Sequence, residues 1–545
     1  MIRKKHILPF LVLSGILLSL PFYRQFSGIV MFIAWVPLLF VEDYLTANKE
    51  KYRSGKGFVL TAVTFLIWNI LTIYWIKNAT VSGAIAAIII NSFVMTVAFW
   101  LIHLTHRTLG DKFGFFGFLV IWTGYEHFYL NAEISFPWLN LGNAFAKDYK
   151  LIQWYEYTGT LGGTLWILMI NLLIFLLIRH YIRYRNLKSR IPELVILVVL
   201  ILFPVTASLI RYHQYKDEGK PYEIVIVQPN IDPYNDKFGG LSPGRQLDII
   251  LHLADSLTTA STDYIVVPET ALNDNIWEND IAMNRSIRRI KVYIRKYPHV
   301  KFIIGASTFK AYPPGEEPSP TAKRFSNGSG YYDAYNTALQ IDTSSVIQIY
   351  HKSQLVVGVE KMPYPGKLKF LENLIINLGG ATGSYGTQPD RTPLYEPGGP
   401  GKVAAVICYE SVFGEYVTRY IRNGANMIFI ITNDGWWGNT PGYKQHMSYA
   451  RLRAIETRRS IARSANTGIS CFINQRGDDF QTTGWWVPAV IKGTIYASDK
   501  MTYYSLHGDY IARLCDFFAI ITMLYTLVRL LMDRKGNKNR PSTAS

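Results

Sequence analysis

The chain has 545 residues, 49% of them hydrophobic, a mean hydropathy of +0.10 and a formal net charge of +17. That length leaves room for more than one domain. The charge invites a nucleic-acid reading, but its distribution argues against one. Eighteen Lys/Arg lie at residues 3–5, 49–56, 107–112, 179–190 and 534–540, against four (Arg24, Lys77, Lys147, Lys150) in the alternate short loops.

Residues 1–211 and 510–532 are apolar runs separated by short basic loops, whereas 222–505 have the mixed composition of a soluble domain. The apolar runs predict eight membrane spans at about 7–22, 26–45, 58–76, 81–104, 113–130, 161–182, 192–211 and 510–532, most near the ~20 residues that a bilayer core demands. The first is short and follows Arg3, Lys4 and Lys5, which is also how a signal peptide begins. No small-x-small cleavage site follows Leu20 and another span starts at once, so the segment is expected to be retained. The asymmetry of the loops follows the positive-inside pattern. It predicts cytoplasmic termini, a domain at 212–509 delivered to the outer side by seven spans, and an eighth span that returns the chain to a basic tail at 533–545.

Within 212–509, strand-like runs recur at 224–228, 263–268, 301–307, 335–341, 346–351, 402–408, 426–432, 459–465 and 469–473. Helical patterns lie at about 243–260, 280–297, 412–423 and 441–458. Strands alternating with helices predict a layered α/β domain. Residues 310–330 are rich in Pro, Gly and Ser and read as an exposed loop. The Gly-rich segment 353–401 contains an amphipathic stretch, 368–378, which reads either as a helix packed on the domain or as one resting on the bilayer.

Three residues end apolar runs: Glu269 in Tyr264-Ile-Val-Val-Pro-Glu269, Lys352 in Val346-Ile-Gln-Ile-Tyr-His-Lys352, and Cys408 in Val403-Ala-Ala-Val-Ile-Cys408. A carboxylate, an amine and a thiol held at strand ends make a base, a cationic oxyanion stabiliser and a nucleophile. Taken singly, a Cys at a strand end is more often structural, and a Lys or Glu there is usually solvated. A thiol at the turn into 412–423 feels a helix N-terminus, which favours thiolate. The other cysteines, Cys471 in a core strand and Cys515 in the last span, read as packing, and three cysteines make no disulfide framework. His446, in a helical pattern, reads as structural. No metal-ligand spacing, Walker loop or Gly-x-Ser-x-Gly elbow is present, so neither a cofactor nor a serine hydrolase is indicated.

The motifs Val267-Pro-Glu-Thr-Ala271, Lys352 with Glu360 eight residues on, Ile407-Cys-Tyr-Glu-Ser411 and Thr432-Asn-Asp-Gly-Trp-Trp-Gly438 resemble the nitrilase (carbon-nitrogen hydrolase) superfamily. With seven spans before the domain and one after, nearly the whole chain resembles the apolipoprotein N-acyltransferase family. The resemblance implies a nitrilase-like αββα sandwich and a Glu269-Lys352-Cys408 triad. It adds supporting or substrate-binding residues at Glu360, Tyr409, Glu410, Trp436 and Phe238. Trp436 and Trp437 read alternatively as core. The chain departs from the family where Val356-Val-Gly-Val-Glu360 replaces Val-Pro-Phe-Gly-Glu, and where Phe238 stands for a mobile Trp of the lid. The implied reaction takes an acyl chain from a phospholipid, typically phosphatidylethanolamine, onto Cys408. It then passes the chain to the α-amine of a diacylglyceryl-cysteine on an apolipoprotein, at the periplasmic face of a bacterial inner membrane. Two competing expectations are a membrane-tethered amidase using the same triad, and a transporter or scaffold with an inactive enzyme domain. Eight spans exceed what a mere anchor needs. The spans also hold few deep ionisable residues of the kind a transport path uses.

Overall fold

The computed structural model describes the backbone of residues 3–363 and 384–538, and the side chains over the same range except Phe238 and residues 534–538. The expected helix at 368–378 and most of the expected tail lie outside the described residues. The chain forms two compact units, one of residues 1–74, 84–210 and 509–545, the other of residues 75–83 and 211–508.

The first unit is helical. Seven of the described helices are long and apolar enough to cross a membrane: Lys4–Phe22, Gly28–Ala47, Ser54–Asn78, Val81–Leu109, Tyr155–Tyr184, Lys188–Gln214 and Tyr510–Asp533. The expected span at 113–130 falls in the helix Asp111–Asn131, which is less apolar because it carries Gly114, Gly117, Gly124, Glu126 and His127. Glu126 is buried and accepts hydrogen bonds from Trp122 Nε1 (3.0 Å), Leu141 N (3.0 Å) and Thr164 Oγ1 (2.6 Å). Buried Glu42 meets His103 Nδ1 at 2.8 Å and His106 Nδ1 at 3.1 Å. Buried polar groups find partners because an unpaired one is costly in an apolar interior.

The second unit is built on two sheets. The strands are β1 (Lys220–Gln228), β2 (Tyr264–Val266), β3 (Leu272–Trp277), β4 (Lys301–Ala311), β5 (Lys323–Arg324), β6 (Tyr331–Ile341) and β7 (Gln348–His351), followed by β8 (Leu394–Tyr395), β9 (Lys402–Ile407), β10 (Met427–Thr432), β11 (Ile461–Ala465), β12 (Cys471–Ile473), β13 (Asp479–Phe480) and β14 (Ala489–Ala497). One sheet runs β14-β1-β2-β4-β6-β5, with β3 on β4 and β7 on β6; the other runs β13-β12-β11-β10-β9-β8. The centres, β1-β2-β4 and β9-β10-β11, are parallel. Met427–Thr432 is buried at every position, because both faces of the sheet are covered.

The sheets face each other across β1 and β11, where Ser464 Oγ donates to Val227 O at 2.9 Å. Helices Pro243–Leu257 and Arg285–Ile294 cover the outer face of the first sheet through Leu247, Ile250, Ile287 and Ile290, packed on Val225, Ile265 and Phe302. Helices Gly414–Arg422 and Pro441–Thr457 pack against the second. The result is the expected αββα sandwich.

All nine expected strands and four expected helices have counterparts. Five strands lay outside the expected runs: β3, β5, β8, β13 and β14. The longest, β14, carries Lys492 and Gly493 mid-run, lies half-buried at an edge and takes its register from β1, from Lys220↔Ala497 to Gln228↔Ala489. Pairing, not local apolar pattern, makes it a strand.

Candidate active site

Glu269, Lys352 and Cys408 come from three strand ends. After β2 the chain turns at Pro268-Glu269-Thr270, with Thr270 at φ +48°. Gly305 on β4 passes so close that a Cβ there would lie 2.5 Å from Glu269 Cα, so the turn needs a glycine opposite it. Lys352 follows β7 and donates its backbone N–H to Asn336 O on β6 at 2.8 Å. Cys408 follows β9 at φ +50°, a strained conformation for a non-glycine residue. It opens the 3-10 turn Cys408–Val412, ahead of the helix Gly414–Arg422.

The charged groups meet in a buried cluster. Lys352 Nζ lies 3.0 Å from Glu269 Oε1 and 2.8 Å from Glu360 Oε1. Asn336 Nδ2 donates to the same two oxygens, at 2.8 and 2.9 Å. Its amide orientation follows from chemistry, since only the NH2 end can face two carboxylates. Glu360 Oε2 accepts from Val356 N at 2.9 Å.

Burial pushes the Glu269 carboxyl up, but the Lys352 charge, the Lys352 and Asn336 hydrogen bonds and the Lys237 charge together hold it below its ordinary range. Burial opposes the charge on Lys352, yet Glu269 and Glu360 hold that ammonium well above its usual value. The Cys408 thiol is pushed up, first by burial and then by the Glu269 charge, with Lys352 pulling the other way. The resting site is thus thiol, carboxylate and ammonium. The turn after Cys408 favours thiolate, but burial beside a carboxylate outweighs it.

Lys237 is a site residue that the sequence did not reveal. It is buried, and its ammonium donates to Glu269 O at 3.2 Å and Thr270 Oγ1 at 2.6 Å. Burial lowers it to about 8 against the charges of Glu269 and Cys408. A small cavity lies beside it, lined also by Ile231, Gln246, Pro268, Glu269 and Asn466. Lys237 sits in the single turn Asp236–Gly240 that also contains Phe238, whose side chain lies outside the described residues. Asn336 was equally hidden, as one of three polar residues, with Thr337 and Gln340, in the strand run 335–341.

Glu410 is fully buried and turned into the scaffold. Its carboxylate accepts from Tyr350 OH (2.9 Å), Ser353 N (2.7 Å), Ile407 N (2.8 Å) and the Tyr416 hydroxyl. It ties the residue before Cys408 to the residue after Lys352. Tyr409 is buried, its ring edge-on to Phe413 at 5.2 Å. Trp436 is half-buried, its ring edge-on to Tyr234 at 5.2 Å, and Tyr234 OH donates to Trp436 O at 2.8 Å. Trp437 packs on Trp75 at 4.9 Å and on His446 at 5.3 Å. His446, read as structural, lies directly behind Cys408, with Nε2 3.1 Å from Cys408 O. Cys471 is buried in β12.

The two units define a class: a nitrilase-type αββα domain in a multi-pass membrane protein. Residues 14–173 match the Apolipoprotein N-acyltransferase N-terminal domain, and residues 241–500 match the Carbon-nitrogen hydrolase family. A protein of Chlorobaculum tepidum named apolipoprotein N-acyltransferase is 28% identical, over 97% of this chain and 98% of its own length. One of the same name from Geobacter metallireducens is 27% identical, over 92% of each. Among solved structures, a Nesterenkonia amidase of the nitrilase superfamily covers 54% of this chain and 97% of its own, with a TM-score of 0.35 and 16% identity. The chain belongs to the apolipoprotein N-acyltransferase family.

Proposed function

We propose that this protein transfers an acyl chain from a phospholipid to the N-terminal amine of the diacylglyceryl-cysteine of an apolipoprotein, through a thioester on Cys408. The observation that carries this reading is the buried grouping of Glu269, Lys352 and Glu360 at 2.8–3.0 Å, with the charges of Glu269 and Lys352 acting on the Cys408 thiol.

In the first step Glu269 accepts the thiol proton as Sγ attacks the ester carbonyl carbon of the phospholipid. The carbonyl electrons move to oxygen, and the resulting oxyanion is stabilised by the Lys352 ammonium and the Tyr409 backbone N–H. Because the thiol is held up and the carboxyl down, proton transfer accompanies attack rather than preceding it. The oxyanion collapses, the C–O bond breaks, and the departing alkoxide takes the proton from Glu269. A lysophospholipid leaves and the acyl chain remains on sulfur. In the second step the neutral α-amine attacks the thioester carbon and Glu269 accepts a proton from nitrogen. The C–S bond then breaks and sulfur recovers a proton from Glu269. The products are an amide and the free thiol.

Glu360 shares the ammonium with Glu269 and keeps Lys352 charged, Glu410 holds the strand ends in register, and Trp436 and Phe238 serve the cleft. The distribution of Lys/Arg supports cytoplasmic termini, with the catalytic domain on the periplasmic side of the inner membrane. Spans on both sides of that domain in the sequence suit two lipid substrates. Water must stay out while the thioester waits.

Purified protein in detergent with acyl-labelled phosphatidylethanolamine tests the reading. Cys408 should gain a hydroxylamine-labile acyl group, and adding a diacylated lipopeptide should move the label to its amine. Release of free fatty acid with no acyl-lipopeptide would point to a hydrolase instead.

A further inference from the structure

Behind Cys408 lies a buried polar network that the chemistry above does not use. His446, Asp434 and Arg463 are each at most 1% exposed. His446 Nε2 lies 3.1 Å from the carbonyl oxygen of Cys408 and 3.0 Å from Ser411 Oγ. Ser411 Oγ itself donates to the same carbonyl at 2.7 Å. A carbonyl oxygen only accepts, so the imidazole contact is a bond from Nε2–H. The other face of the ring is fixed as well. His446 Nδ1 lies 3.0 Å from Asp434 Oδ1 and 3.1 Å from Arg463 Nη2. Asp434 is in turn held by Arg463 Nη2 at 2.7 Å and Thr432 Oγ1 at 2.8 Å.

What this grip does follows from covalent geometry. The carbonyl of Cys408 and the N–H of Tyr409 belong to one peptide plane. None of the described peptide bonds is cis, so in that plane the two point in opposite directions. Holding the oxygen from behind therefore aims the N–H forward. The turn needs such a hold, because Cys408 sits at φ +50°, where a side-chain-bearing residue does not rest unaided.

We propose that His446, braced by Asp434 and Arg463 and assisted by Ser411, is the positioning residue of the oxyanion site: it pins the Cys408 carbonyl so that the Tyr409 N–H faces the acyl oxyanion. This rests on the acyl-transfer reading above and adds to it the residue that orients one of its two oxyanion donors. His446 acts through the backbone carbonyl of Cys408. Its loss leaves the nucleophile intact and disorders the donor.

The test separates these two properties. Iodoacetamide alkylates the thiol by displacement at carbon and builds no oxyanion, whereas acylation by phosphatidylethanolamine requires one. The full-length protein, His446→Ala, His446→Gln, His446→Asn, Ser411→Ala and Cys408→Ala are compared in detergent micelles for both rates and for thermal melting. His446→Ala should lose acylation by roughly 10²–10³-fold, the usual effect of losing an oxyanion donor, while alkylation stays within about threefold of the parent. His446→Gln keeps an N–H at the reach of Nε2 and should restore acylation to within about tenfold, whereas His446→Asn, too short, should not. Ser411→Ala removes the hydroxyl half of the grip and should cost about tenfold in acylation alone. Apparent affinity for the phospholipid should not move.

If His446→Ala unfolds, Ser411→Ala and the Gln/Asn contrast decide the matter. Parental acylation in the folded His446 and Ser411 variants would overturn the proposal, as would equal loss of acylation and alkylation. A parent protein that takes no acyl group on Cys408 would overturn the acyl-transfer reading, and this proposal with it; a parent that is acylated alongside an equally active His446→Ala would overturn this proposal alone.

Discussion

The ammonium of Lys352 lies 3.0 Å from Oε1 of Glu269, and both side chains are almost wholly buried. The contact settles the charge state of the pocket. A lone carboxylate in that position would take up a proton, and a lone ammonium would lose one. Each keeps the other charged, and Glu360 at 2.8 Å from the same ammonium adds a second anion. In the proposed reaction Glu269 is thereby available as a base at neutral pH, at the cost of basicity. It can draw a proton from a raised thiol only as the bond to carbon forms.

Cys408→Ala should abolish the acyl adduct and all transfer. Cys471→Ala should keep activity within about threefold, because Cys471 is buried packing in β12. Intact-mass spectrometry after incubation with phospholipid checks both, and an adduct that survives in Cys408→Ala would place the nucleophile elsewhere.

Glu269→Gln keeps shape and removes the base, so acylation should fall by roughly 10²–10⁴-fold. Alkylation by iodoacetamide should move the other way. The Glu269 charge is one of the causes that raise the thiol, so the variant should alkylate at least as fast as the parent at pH 8. Equal loss in both rates would mean that Glu269 holds the pocket together instead of moving the proton.

In the parent, the alkylation rate should climb with pH past 9.0 without a plateau, because the thiol is held above that ordinary value. Glu269 titrates below its ordinary value in the folded protein, so its contribution to stability is complete above pH 4.5 and is lost as pH falls further. Lys352 is raised, so its contribution is present below pH 10.5 and is lost only at still higher pH. The melting temperature should therefore lose nothing to this pair between pH 6 and 9, a statement that melts of the parent and of a Glu269→Gln, Lys352→Met double variant would check.

Lys352→Met leaves Glu269 and Glu360 buried without their cation. One of them should take a proton, and the domain should lose about 3–5 kcal/mol, the usual result of breaking a buried ion pair. Acylation should vanish even under conditions where the variant stays folded. Denaturant melts beside the acylation assay measure the two effects separately.

Gly305→Ala puts a methyl group 2.5 Å from Glu269 Cα. The turn after β2 must shift, at a cost of roughly 1–3 kcal/mol. Acylation should fall further than stability because the base moves with its backbone, and a variant with parental activity would show that the turn tolerates displacement.

Reporter fusions after residues 188 and 540 should give a cytoplasmic signal, and one near residue 320 a periplasmic one. A cytoplasmic signal at 320 would reverse the orientation that the Lys/Arg asymmetry implies.

Much of this protein could be read in one dimension. Membrane spans are legible because a bilayer demands ~20 apolar residues from one continuous segment. The buried parallel strands around Ile265, Val406 and Ile430 are legible because both faces must be apolar, which leaves an unbroken hydrophobic run. Glu269, Lys352 and Cys408 stood out as polar residues ending such runs in recognisable motifs. Edge strand β14 did not, since its identity comes from the partner it pairs with. Lys237, Asn336 and His446 did not either. Each lies tens of residues from the group it touches: Lys237 is 32 before Glu269, Asn336 is 67 after it, and His446 is 38 after Cys408. No local pattern marks such residues, because their role is set by strand order and by which ends of the sheets come together. The protonation state of the site belongs to the same class. The chain specifies a thiol, a carboxylate and an amine, but burial and mutual distance decide which of them carries charge, and only the folded structure sets those.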